Sequence, residues 1–264
     1  MTNYRSISIA TLIVVASFIT RDAEGQSIAS RVGAVRDGKV RMTFASKPDV
    51  CGFGNSISRG GGNDRMNWNS ESSPDVVYDE GCSHSPVRLV LTIDRGQITK
   101  LRTYVGGRWR PATSETTDIG AVSTKAATDY LLSLASSDGG RIGREAILPA
   151  TLADSVNIWP QLFRVARDTN VPGETRKQAV FWIGQAASDV VAPDRDGKGS
   201  DDEEVKKQAV FALSQRRNGE AVTALIEVAR NNRDPDVRRS ALFWLGQSGD
   251  PRAISLFEEI LRKN

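Results

Sequence analysis

Two periodicities divide the chain. From about Ile28 to Arg110 apolar and polar residues alternate, as strand residues do when one face is buried; from about Ala121 onward apolar residues recur at helical spacing. In the first part, Val87-Arg-Leu89-Val-Leu91-Thr-Ile93 and Ile98-Thr-Lys-Leu101-Arg-Thr103-Tyr-Val105 flank Asp94-Arg95-Gly96-Gln97, which predicts two strands joined by a tight turn. Val40-Arg-Met42-Thr-Phe44-Ala reads as a third strand. Between them, Cys51 to Ser85 is rich in glycine, serine and asparagine and reads as a long loop region. Gly106-Gly107-Arg-Trp109-Arg-Pro111 closes the β region, and Ala112 to Gly120 reads as a polar linker into the helices.

The helical part contains a repeated pattern. Lys177-Gln178-Ala179-Val180-Phe181-Trp182-Ile183-Gly184-Gln185, Lys207-Gln208-Ala209-Val210-Phe211-Ala212-Leu213-Ser214-Gln215 and Arg239-Ser240-Ala241-Leu242-Phe243-Trp244-Leu245-Gly246-Gln247 align without gaps, at spacings of 30 and 32 residues. Self-similarity at this period marks stacked supersecondary units, because no single unit buries its own apolar face. A second family of helices is predicted at Trp159–Ala166, Ala221–Ala229 and Ala253–Ile260. Gly249 suits the left-handed position after a helix, while Asp234-Pro235 and Asp250-Pro251 suit helix starts. Earlier helices are expected over Ser123–Ala135 and near Arg144–Ala153, the latter interrupted by Pro149. Where a hairpin partner is due between the first two nonamers, Ser188 to Asp202 is polar, with one proline and two glycines, and reads as an exposed loop.

The run from Asp234 through Val237, Ala241, Leu245, Gly246, Gly249 and Pro251 to Ala253 resembles the short HEAT-like repeat of phycobilin lyase subunits and many bacterial scaffold proteins. The resemblance spans Glu174 to Asn264 and extends more weakly back to about Ala121. It implies an α-solenoid used for protein binding. The fold class expected is therefore α+β: a small N-terminal β domain over 26–111, a linker over 112–120 and an all-α HEAT-like solenoid over 121–264.

The first residues change the picture of where such a chain works. Arg5 precedes an apolar stretch from Ile7 to Ile19, and Ala23 and Gly25 suit a signal peptidase. That stretch is short of the roughly 20 residues needed to span a bilayer, so residues 1–25 read as a signal peptide and the mature chain as periplasmic or secreted from a bacterium. An uncleaved anchor is the competing reading. Only two cysteines occur, Cys51 and Cys82. In an exported chain they imply one disulfide, closing a loop worth roughly 3 kcal/mol of chain entropy. In a cytosolic chain they would be free thiols. The net charge of +3 is unchanged by removing Arg5, Arg21, Asp22 and Glu24, and a balance so near neutrality does not advertise a polyanionic partner.

Candidate chemistry is sparse. The one histidine, His84, has no second ligand or fixed carboxylate beside it in sequence and reads as a solvated loop residue; the paired His-Glu motifs of metal-dependent HEAT-like hydroxylases are missing. The glycines at Gly52–Ile57 and Arg59–Asn63 do not follow a strand and open a helix, as a phosphate cradle requires. A calcium loop over Asp194, Asp196, Gly197 and Glu203 would have Ala192 in place of its first ligand. What remains is the repeat surface. Helical projection places Gln178, Phe181, Trp182 and Gln185 opposite the apolar Ala179, Val180 and Ile183, with Gln208, Phe211 and Gln215, then Phe243, Trp244 and Gln247, as their equivalents. If the three helices stack side by side, these residues form a concave glutamine and aromatic stripe for a protein partner. The alternative is that the phenylalanines are core and the glutamines bond backbone between repeats. The expectation is a monomeric, non-catalytic protein-binding scaffold or adaptor with no cofactor, no metal, no nucleic acid and no membrane association after signal cleavage. The competing reading is a hydrolase or lyase with its site in the loops of the β domain.

Overall fold

The computed structural model describes residues 23–53, 56–59, 73–78, 81–137, 140–191, 201–216 and 219–263; the apolar stretch Ile7–Ile19 and most of the signal segment lie outside them. The architecture is α+β. Helix α1 (Ala23–Gly33) runs through the expected cleavage position, where the sequence reading put the end of the signal segment and the start of the β region. A four-stranded sheet of order β7-β6-β1-β9 follows, built from β1 (Gly38–Phe44), β6 (Val87–Asp94), β7 (Gln97–Val105) and β9 (Thr116–Ala121). The turn between β6 and β7 uses Arg95 and Gly96, both at positive φ, as a two-residue hairpin whose twist matches its strands requires. Most of β9 falls in the segment expected to be a linker. Its polar residues betray no alternation because one strand edge and much of one face meet solvent, and it pairs parallel to β1.

A smaller sheet of order β3-β2-β5 comprises β2 (Val50–Phe53), β3 (Ser56–Arg59) and β5 (Ser83–His84), in the region read as loop. Cys51 and Cys82 stand at disulfide-bonding distance there, with Cα atoms 5.4 Å apart. Two short strands, β4 (Val76–Val77) and β8 (Arg108–Trp109), pair over the outer face of the main sheet. Asp75 anchors them, accepting from Lys39 Nζ at 2.6 Å, Arg102 Nη1 at 3.1 Å and Tyr104 Oη at 3.0 Å.

The inner face of the sheet, carrying Val40, Met42, Leu89, Leu91 and Leu101, is buried in the same core as the helices. Helix α2 (Thr124–Ser137) packs against α1 and α3 (Arg141–Leu152), and α3 packs on β7 and β6. Pro149 is accommodated within α3. Backbone bonds from Lys47 N to Leu152 O and Asp154 N to Ala45 O tie the end of α3 to the chain beyond β1. The core runs without interruption from Ile28 to Phe257, so the sheet and the first helices share one interior.

Six helices follow: α4 (Trp159–Arg167), α5 (Gly173–Val191), α6 (Asp201–Ser214), α7 (Glu220–Asn231), α8 (Pro235–Ser248) and α9 (Arg252–Arg262). The turn chemistry expected from sequence is present: Asp234 accepts from Asp236 N at 2.9 Å, Gly249 is left-handed at φ 62°, and Asp250 accepts from Arg252 N at 2.9 Å. The order of the helices differs from expectation. The main neighbour of α5 is α8, with α7 and α6 on the other side of α8 and α9 lying between α4 and α7. Helix α8, paired with α7, thus stands between α5 and α6, and α9 packs chiefly on α5.

The cause is visible in the repeated motif. A Cβ on Gly184 would stand 2.8 Å from Gly246 Cα and 3.0 Å from Phe257 Cζ, so two glycines at the same repeat position let α5 and α8 approach closely. Helix α6 carries Ser214 at that position. The two helices are antiparallel: Lys177 lies against Gly249, Gly184 against Gly246, and Ser188 Oγ donates to Arg239 O at 3.4 Å. Helix α6 runs parallel to α8, with Lys206 paired to Asp234 at 2.7 Å and Phe211 against Trp244 at 5.0 Å between ring centroids.

Candidate binding groove

This packing rearranges the expected stripe. Ala179, Val180 and Ile183 are buried, as are Val210 and Ala241, Leu242 and Leu245, in agreement with the apolar face read from the sequence. None of Phe181, Trp182, Phe243 and Trp244 is fully buried, and Phe211 is 41% exposed. The stripe is not continuous, however, because reversing α5 turns its row of side chains end for end relative to α8.

Gln178, Phe181 and Trp182 of α5 are brought together with Gln247 of α8 in one groove of about 740 Å³. Its opposite wall comes from Arg144, Glu145 and Leu148 of α3, Leu101 and Thr103 of β7, and Ile57 of β3. Phe211, Phe243 and Trp244 form a separate aromatic cluster on α6 and α8, with Phe243 edge-on to Trp244 at 5.1 Å. Gln208 on α6 and Gln215 just beyond it are exposed, and Gln185 is half-buried on α5; none of the three lines the groove.

Each wall is held by its own element. The ring of Phe181 meets that of Trp182 edge to face at 5.0 Å, which fixes both at the edge of α5. Glu174 and Lys177 form an ion pair at 2.8 Å one turn apart, and the hydrogen bond and charge of Lys177 hold the Glu174 carboxyl below its usual value. Arg141 donates to Thr99 O at 2.7 Å and pairs with Glu145 at 3.3 Å, fastening α3 to the sheet. β7 is the terminal strand of its sheet, so one backbone edge borders the groove without a ladder partner among the described residues.

Two polar atoms in the lining are shielded from solvent and have no hydrogen-bond partner among the described residues: Trp182 Nε1, a donor, and Glu145 Oε2, an acceptor. A buried polar atom left unpaired costs about 1–3 kcal/mol. The sequence pattern reached Gln178, Phe181, Trp182 and Gln247 but missed the facing Arg144, Glu145, Leu148, Leu101, Thr103 and Ile57. Nothing in a single sequence places α3 and two strand edges opposite a repeat separated from them by α4.

His84 and Gly52 have partners in the small sheet and its neighbours. His84 lies in β5, paired with Cys51, and its Nδ1 is 3.0 Å from Val50 O. Gly52 sits where a Cβ would meet Val105 O at 2.6 Å, so it serves a close strand crossing. The calcium-loop residues Asp194, Asp196 and Gly197 lie outside the described residues, as does the side chain of Glu203. No helix among the described residues is long and apolar enough to cross a membrane.

Residues 198–264 match the HEAT repeats family. The matched segment contains α6 to α9, where α6 and α8 run parallel, and leaves the reversed α5 outside it. Over that segment the chain is similar to HEAT repeats, a class commonly used for protein–protein interaction. No curated protein and no solved structure matches the chain.

Proposed function

We propose that this chain is an exported, non-catalytic scaffold that binds an extended segment of a partner protein in the groove between β7, α3, α5 and α8. The observation that carries the reading is the lining itself: half-exposed Phe181 and Trp182 beside an open strand edge, with an unpaired donor and an unpaired acceptor in the same site. Aromatic side chains supply contact area at low cost in conformational entropy. A strand edge supplies main-chain hydrogen bonds to any extended peptide. A peptide group presents one C=O and one N–H, the complement of Trp182 Nε1 and Glu145 Oε2 once those side chains turn toward it. The HEAT repeats support an interaction role in general. The apolar N-terminal stretch and the cysteine pair at bonding distance support export.

The test compares partner recovery from the envelope fraction by the wild type, a Phe181→Ala/Gln247→Ala variant and a Phe211→Ala control. The groove variant is expected to lose at least about 2 kcal/mol of affinity, as truncation of a central aromatic contact does, while the control retains its partner. Equal recovery by the groove variant, with an unchanged melting temperature, would contradict the assignment.

A further inference from the structure

On the opposite layer of helices, α4 and α9 border a second groove of about 790 Å³. Its floor is apolar, with Trp159 and Phe163 from α4 and Leu261 from α9. Its rim is basic. Arg164, Arg167 and Arg262 line it against two carboxylates, Glu258 and Asp168.

The disposition of those carboxylates leaves guanidinium capacity over. Glu258 is shared: Arg167 bonds one of its oxygens and Arg262 Nη2 the other, the latter at 2.7 Å. Asp168 lines the groove with one oxygen engaged, Oδ1 accepting from Asn170 N at 2.9 Å and from Asn170 Nδ2 at 3.0 Å. Arg167 lies over the Phe163 ring, 5.4 Å from its centroid, which places its charge directly on the apolar floor. Arg164 is exposed and makes no side-chain hydrogen bond or ion pair among the described residues. Each guanidinium has five N–H donors in a fork that matches a carboxylate, and only a fraction of the fifteen or so on the rim is used.

From this charge complementarity we propose that the α4–α9 groove is a second recognition site, which binds an acidic partner segment bearing apolar side chains. The acidic groups meet Arg164 and the free edges of Arg167 and Arg262, and an apolar side chain between them packs on Leu261 and on the parts of the Trp159 and Phe163 rings that Lys47 and Arg167 leave uncovered. The site is independent of the groove beside β7, shares no lining residue with it, and stands or falls separately.

The experiment measures fluorescence anisotropy of a short dye-labelled peptide alternating aspartate with leucine, added to the full-length protein. Saturable binding is expected, weakening as salt screens the rim. Arg164→Glu is expected to reduce affinity about tenfold or more, since a lost charge-assisted contact is replaced by repulsion. Arg216→Glu, a charge reversal just beyond α6 and away from the groove, is expected to leave it unchanged. Because Arg164 is exposed and unpartnered, its replacement does not threaten folding, and equal melting temperatures verify this. Unaltered affinity in Arg164→Glu overturns the proposal. So does equal binding of a peptide alternating aspartate with serine, which would show charge alone at work. Binding of anionic lipid vesicles that the aspartate–leucine peptide does not displace would assign the rim to a membrane surface and overturn it as well.

Discussion

At Asp75, burial alone would raise the carboxyl, but hydrogen bonds from Lys39 and Tyr104 and the charges of Lys39 and Arg102 outweigh it and hold the group below the ordinary carboxylate value. Its folded pKa is therefore depressed relative to the unfolded chain. The stability it contributes is complete above the unfolded value and is lost as pH falls through the folded one. Asp75→Asn is expected to lower stability at neutral pH by about 2 kcal/mol, because it leaves Lys39 and Arg102 without their shared anion. In urea melts the gap between variant and wild type should narrow steadily as the pH falls below about 4; a gap that is the same at neutral and strongly acid pH would rule out the ionised carboxylate as its source. Nothing in the sequence singled out Asp75. It precedes a strand of two residues, and its three partners come from β1 and β7, far away in the chain. Cys51 and Cys82 were legible for the opposite reason: cysteine is rare here, and the only two in the sequence, behind a stretch read as a signal, imply a pair.

For the helices, the repeated nonamers identified the elements and their buried faces, since apolar spacing reports what each helix must cover. They did not fix the order of stacking. Equivalent motifs suggest equivalent neighbours, yet the decisive difference is one residue: Gly184 and Gly246 permit a close crossing, whereas α6 carries Ser214. β9 escaped notice because its polar residues lack a repeating pattern, and α1 because it lies next to a stretch read as a signal. The glycine contact is testable. Gly184→Ala gains about 1 kcal/mol of helix propensity, but its methyl would press on backbone at Gly246 and on Phe257, and overpacking costs about 1–3 kcal/mol. The clash should win, lowering the melting temperature. Gly246→Ala meets its nearest atom only at 3.2 Å and should cost less. If Gly184→Ala raises the melting temperature, propensity dominates and the close crossing is not what joins α5 to α8.

Across the whole molecule, the change from a β region to helices was legible in the change of periodicity, but the continuity between the two was not. One core spans Ile28 to Phe257, α3 packs on the sheet, and the supposed linker supplies a strand. That continuity gives the candidate groove its second wall. Repeats alone would present an open surface; here Gln178, Phe181, Trp182 and Gln247 face Glu145, Leu148 and the edge of β7. The most direct measurement places a photo-activated cross-linking residue singly at Gln178, Gln247, Gln208 or Gln215 in the full-length protein in its native cells. Binding in the groove predicts a common adduct from Gln178 and Gln247, which lie on different helices far apart in sequence, and none from Gln208 or Gln215, although both are exposed. Adducts from Gln208 and Gln215 instead, or equally from all four, would contradict it.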